Sequence, residues 1–147
     1  MKQRITTMQL DDALHEQIKT LCAEGDAHVE AGELDDALDC YDEAWDLLPE
    51  PKQRWEAATW ILVAIGDTCF LAGDGEASAE TFGLALRCPG GIGNPFIHLR
   101  LGQLAFDADQ LDAAADELMR AYMGAGAEIF EDEEPKYLEF LGTRAQL

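Results

Sequence analysis

The sequence predicts an all-α protein, a helix–turn–helix solenoid of three paired-helix units closed by a C-terminal helix. Three observations carry this. Small residues and breakers recur in register: Gly25, Gly66 and Gly102 are each followed, seven residues on, by Gly32, Gly73 and Asp109. Behind them, Ala37, Tyr41 and Ala44 are matched by Ser78, Phe82 and Ala85, and by Ala114, Leu118 and Ala121, all at helical spacing. A breaker then closes each unit: Pro49, Pro89 with Gly90, and Gly124 with Gly126.

Each element follows from its punctuation. Asp11 or Asp12 suits the N-terminus of a first helix running to about Ala31, where Gly32 supplies a left-handed cap. Leu34–Leu48 form the second helix, stopped by Pro49. The third is expected from Pro51 or Lys52 to Ala72, and the fourth from Glu76 to Arg87. Asn94 followed by Pro95 is a cap and a first-turn proline, so the fifth starts there and ends near Asp107. The sixth covers about Gln110 to Met123. The seventh, about 134–146, is led by Pro135, and Tyr137, Leu138, Phe140 and Leu141 give it one apolar face. One helix pair cannot bury both its faces, so the units must stack, and the last helix covers the open end. The 147 residues fit a single domain, 1–147, with repeats at about 18–51, 59–92 and 95–128.

Composition narrows the function. Thirty acids against ten bases leave a net charge of −20. Nucleic-acid binding needs Lys and Arg on phosphates, and anionic membranes attract basic segments, so neither is an expected partner. A basic protein is the complementary one. The longest apolar run, Trp60 to Ile65, is too short to span a bilayer, and Met1 to Leu10 lacks the apolar stretch of a secretory signal; a cytoplasmic location is expected. Cys22, Cys40, Cys69 and Cys88 form no CxxC pair, which points to free thiols rather than a zinc or redox centre.

The recurring small, aromatic and breaker positions resemble the tetratricopeptide repeat, a unit of 34 residues. The aligned glycines are 41 and 36 residues apart, and the excess falls in the loops around Glu50 to Arg54 and Cys88 to Gly93. The resemblance covers about residues 18 to 126. It implies a concave groove lined by the first helix of each pair, near Lys19, Cys22, Asp26, Glu30, Trp60, Val63, Asp67, Phe70, Phe96, Leu99, Arg100 and Gln103. Members that grip a peptide's C-terminal carboxylate use Lys, Arg and Asn there. Cys22, Asp26 and Asp67 occupy those places here, so that clamp is missing and a basic ligand fits better.

No catalytic constellation is present: no GxSxG, HExxH or phosphate loop, and His15, His28 and His98 are scattered. No enzyme activity, cofactor or metal is expected. The glycine-rich turn at Gly90, Gly91 and Gly93 reads as a flexible connector. The acids Glu128, Glu131, Asp132, Glu133 and Glu134 lack calcium-loop spacing and read as a charged loop favouring the next helix's N-terminus. Residues 20 to 51 hold eleven acids and no Lys or Arg. Asp35, Asp39, Asp42 and Asp46 recur every three or four residues and so share one helical stripe. A solvated face is the plain reading. The lack of compensating bases points instead to docking of a basic partner.

The expected partner-binding residues are therefore Asp26, Glu30, Asp35, Asp39, Asp42, Asp46, Trp60, Asp67, Phe70, Phe96 and Arg100, with the aromatic ones as anchors. The whole chain resembles small stand-alone bacterial tetratricopeptide proteins, notably over Asn94–Gln103, Ala114–Gly124 and Pro135–Leu141. Such proteins accompany polymorphic toxins, which implies an immunity protein that occludes a cationic toxin surface. Acidic three-repeat chaperones of type III secretion resemble it too, in size, charge and repeat number, and imply an extended client in the groove. Tyr137 and Phe140 offer a surface for a homodimer.

Overall fold

A computed structural model describes residues 10–147. The expectation placed on Met1–Leu10 falls, except for Leu10, outside the described residues. Seven α-helices follow in order: α1 (Asp12–Glu30), α2 (Leu34–Leu47), α3 (Glu56–Leu71), α4 (Gly75–Ala85), α5 (Pro95–Asp107), α6 (Leu111–Ala125) and α7 (Pro135–Arg144). Short 3-10 turns at Lys52–Arg54 and Ala127–Phe130 precede α3 and α7. Helices pair as α1–α2, α3–α4 and α5–α6, α7 packs on α6, and the described residues contain no strand.

The register read from the sequence has a direct physical cause. A Cβ on Gly25 would lie 2.5 Å from Tyr41 Cε1, one on Gly66 2.9 Å from Phe82 Cε2, and one on Gly102 2.6 Å from Leu118 Cδ2. The first helix of each pair thus gives up its side chain so that the bulky residue of the second can seat against its backbone. The breakers behave alike. Gly32, Gly73 and Asp109 take φ of 78°, 83° and 63°, a left-handed conformation that Asp tolerates better than most residues. Behind each, the same backbone bond closes the turn: Glu33 N–H to His28 O, Asp74 N–H to Cys69 O, and Gln110 N–H to Ala105 O.

Helix starts follow their caps. Asp11 accepts from the Leu14 N–H, Asp74 from Ala77 and Asn94 from Phe96. The third helix starts later than the expected Pro51 or Lys52. Lys52 donates from Nζ to the carbonyls of Trp45 and Leu48, closing the end of α2, and the Trp55 indole donates to Pro49 O at 2.8 Å. Trp55 is buried in extended backbone, so the helix forms only from Glu56. The fourth helix ends at Ala85 rather than Arg87, because the next turn tightens through Arg87 N–H to Leu84 O and Cys88 N–H to Ala85 O.

The core divides in two. Ile18, Tyr41, Trp55, Ile61, Phe82 and Ile97 join the first two pairs and the start of the third. Leu99, Leu118, Phe130, Tyr137 and Leu141 bind the third pair to α7. The glycine-rich turn is tied down rather than loose: the Thr59 hydroxyl donates to Pro89 O, His98 Nε2 contacts Ile92 O, and a Cβ on Gly91 would collide with the Ala85 carbonyl.

Candidate functional site

The groove side of the stack is built from α1, α3 and α5. At one end, Trp60 on α3 is 43% exposed and stands edge-to-face with His15 on α1, ring centroids 5.5 Å apart. Two turns further along α3 lies a depression of about 300 Å³ lined by Asp26, Val29, Glu30, Tyr41, Ala64, Asp67 and Thr68. Tyr41 donates its hydroxyl to Asp26 Oδ1 at 2.6 Å, which orients that carboxylate. Burial and Asp26 together raise the tyrosine's pKa, so it stays a neutral donor. Cys22, half-buried nearby, is pushed up to about 11, first by burial and then by Asp26; its thiol is protonated and offers no nucleophile near neutral pH.

The third-pair end of the groove is occupied from within. Arg100 on α5 is only 7% exposed. Its Nε donates to Asp67 at 2.8 Å and its Nη1 to Gln103 and Glu133, both at 2.7 Å. Its guanidinium stacks 4.2 Å from the Phe70 centroid and 4.8 Å from that of Phe96. Gln103 also donates to Glu133 at 2.8 Å. Sequence reading placed Phe70, Phe96 and Arg100 toward a partner. In the fold they meet one another first, while Leu99 and Gln103 are fully buried. Glu133, read as part of a charged loop, was missed as the carboxylate that holds Arg100. The available signal was an Arg among acidic groove positions, which needs a compensating acid nearby.

Asp35, Asp39, Asp42 and Asp46 are all exposed along α2. Asp42 has its pKa raised, by partial burial first and then by Asp39 and Asp46. Desolvation is the larger cause, and the neighbouring like charges add to it. The described cluster best able to hold a metal is His28, Glu33 and Asp36, whose ligand atoms lie within 4.8 Å of one another at the α1–α2 turn. His28 Nδ1 and Glu33 Oε1 are 2.8 Å apart, a pairing that raises the histidine's pKa and accounts for the cluster as an ion pair. His98 is an interior residue held by Glu117 and the Ile92 carbonyl. Tyr137 is buried and donates to Asp107, and Phe140 packs on Phe106, so both rings suggested for a homodimer are used within the chain. No helix of the described residues is long and apolar enough to cross a membrane.

The fold has counterparts in solved structures. The type III secretion chaperone SycD of Yersinia enterocolitica, in complex with a peptide of the translocator YopD, superposes with a TM-score of 0.68 at 13% identity, over 91% of this chain and 93% of that one. The chain has the tetratricopeptide-repeat fold. The first repeat domain of Spaghetti (RPAP3), bound to an HSP90 peptide, gives a TM-score of 0.65 at 16% identity over 87% of this chain and 90% of that one. PcrH of Pseudomonas aeruginosa gives 0.62 at 17% identity, over 92% and 89%. No protein-family model and no curated protein sequence matches the chain. Two of these neighbours, SycD and the first RPAP3 repeat domain, are solved with peptides of other proteins bound.

Proposed function

We propose that this acidic tetratricopeptide protein binds and neutralises a basic partner protein, such as a toxin domain, by covering its cationic surface. One observation carries the reading: the α1–α2 half of the stack exposes carboxylates on both its groove side and its outer side, and residues 20 to 51 contain no Lys or Arg. Such a surface is costly to assemble, since like charges at helical spacing repel. It speeds encounter with an oppositely charged partner and rejects acidic ones. The groove acids Asp26 and Asp67 stand where a carboxylate clamp would need bases, in agreement with a basic ligand.

A second reading is favoured by the SycD likeness and by exposed Trp60: a secretion-type chaperone that holds an extended client in the groove. One experiment separates the two. The partner is captured from host cells with the wild-type chain and, in parallel, with D35K/D39K/D42K/D46K. The proposal expects a basic polypeptide, lost with the reversed variant and released by salt, whose toxicity co-expression of the chain suppresses. Undiminished capture by the reversed variant overturns stripe docking. A client lost with Trp60→Ala, and not with the reversal, selects the chaperone.

A further inference from the structure

The open part of the groove is chemically one-sided. The depression between α1 and α3 offers hydrogen-bond acceptors only. Its hydroxyls are spent: Tyr41 donates to Asp26, and Thr68 to the Ala64 carbonyl at 2.8 Å. Among the described residues no Lys or Arg lines it, and Arg100, which reaches its edge at Asp67, has its Nε on that carboxylate. What remains is the free oxygens of Asp26 and Asp67 and the carboxylate of Glu30, beside the apolar walls of Val29 and Ala64. An occupant must bring the hydrogens and the positive charge, and a stem of methylenes to lie on those walls. A lysine or arginine side chain meets all three demands.

The other end of the same seam presents Trp60 against His15, with Lys19, one turn further along α1, paired to Glu16 at 3.9 Å. Trp60 and Asp67 are seven residues apart on α3 and therefore share a face, about 10.5 Å apart along the axis. A polyproline II segment repeats its side-chain direction every three residues and advances about 9.3 Å in doing so. A β-strand repeats direction every two residues, at about 6.8 or 13.6 Å, and fits this span less well. Beyond Asp67 the groove is closed by Arg100 and Glu133, so the readable stretch is short.

We infer that the α1–α3 seam recognises, in the partner, an extended segment with an apolar residue and a Lys or Arg three positions apart, the apolar side chain on Trp60 and the cation in the Asp26–Glu30–Asp67 depression. This rests on the basic-partner reading above and adds to it a site, a spacing and a conformation.

The test uses the full chain, isotope-labelled, titrated by NMR with blocked ten-residue peptides of one composition, each with one Leu and one Lys on a Pro/Ser background. Two place them three apart, in either order; a third makes them adjacent; a fourth replaces Lys by norleucine. The inference expects one spaced peptide to bind about tenfold more tightly than the adjacent one. Its shifts should centre on the Trp60 indole and on Asp26, Glu30 and Asp67. Glu30→Gln and Trp60→Ala, both at exposed positions, should each weaken that peptide while leaving the far-ultraviolet spectrum unchanged. Equal binding of spaced and adjacent Lys peptides, or shifts confined to α2, overturns the seam and leaves the basic-partner reading standing. Preference for the norleucine peptide overturns both. No shift at the seam at millimolar peptide overturns the seam assignment.

Discussion

Replacing Arg100 by Met keeps most of the side chain's apolar bulk and removes the charge that closes the groove. The guanidinium side chain is 8% exposed and holds two carboxylates, Asp67 at 31% and Glu133 at 17% side-chain exposure. Removing one partner of a buried ion pair costs about 3–5 kcal/mol, because the other charge is left unpaired. Asp67 is exposed enough to regain water, so the low end applies, about 3 kcal/mol. With an m-value of about 1.5 kcal/mol/M, the midpoint of urea unfolding falls by about 2 M. The double variant R100M/E133Q tests the cause. The amide carries no charge to strand, so about 1 kcal/mol of the loss returns and the two substitutions are non-additive by about that amount. A loss below about 0.5 kcal/mol in R100M, or simple additivity of the pair, refutes the network as described. It would return Arg100 to the pool of residues free for a partner.

Other outcomes follow from the same geometry. Gly66→Ala forces a methyl onto the Phe82 ring and should cost about 1–3 kcal/mol in chemical denaturation, with Phe82→Leu restoring part of it. Asp109→Gly relieves a left-handed non-glycine residue and should raise stability by up to about 1 kcal/mol, whereas Gly73→Ala should lower it by about 1–2 kcal/mol. Asp39→Asn and Asp46→Asn should each stabilise α2 by about 0.3 kcal/mol. They should also bring the Asp42 titration midpoint, followed by carboxyl NMR, back toward the ordinary carboxylate value. The sign is set by the raised pKa: the folded chain holds that proton more tightly than the unfolded one. Asp42 therefore favours folding as pH falls through the interval between the two values, and opposes it above.

Much of the fold is legible in the sequence because its repeat is a steric device written in few letters. A glycine must face each large ring or leucine, and a left-handed residue must follow each first helix. The same close approach recurs in all three units, so Gly25, Gly66 and Gly102 mark the register. The late start of α3 was not legible. It depends on Lys52 and Trp55 bonding to carbonyls of the preceding helix end, a tertiary choice that local propensity does not encode. At the site, the exposure of Asp35, Asp39, Asp42 and Asp46 followed from helical spacing alone. The fate of Arg100 did not, because its partner Glu133 lies 33 residues on, in the turn before α7, and only the tertiary fold brings the two together. Position in a groove told which residues point the same way; it did not tell which of them pair with each other.

In the proposed function the first two helix pairs form the surface that takes hold of a basic polypeptide. Amide NMR of the labelled chain, titrated with the captured partner, measures this directly. Perturbations should concentrate in α1, α2 and α3, between Asp12 and Leu71, and fade as salt is raised. Perturbations restricted to α5, α6 and α7, or insensitive to salt, would contradict it.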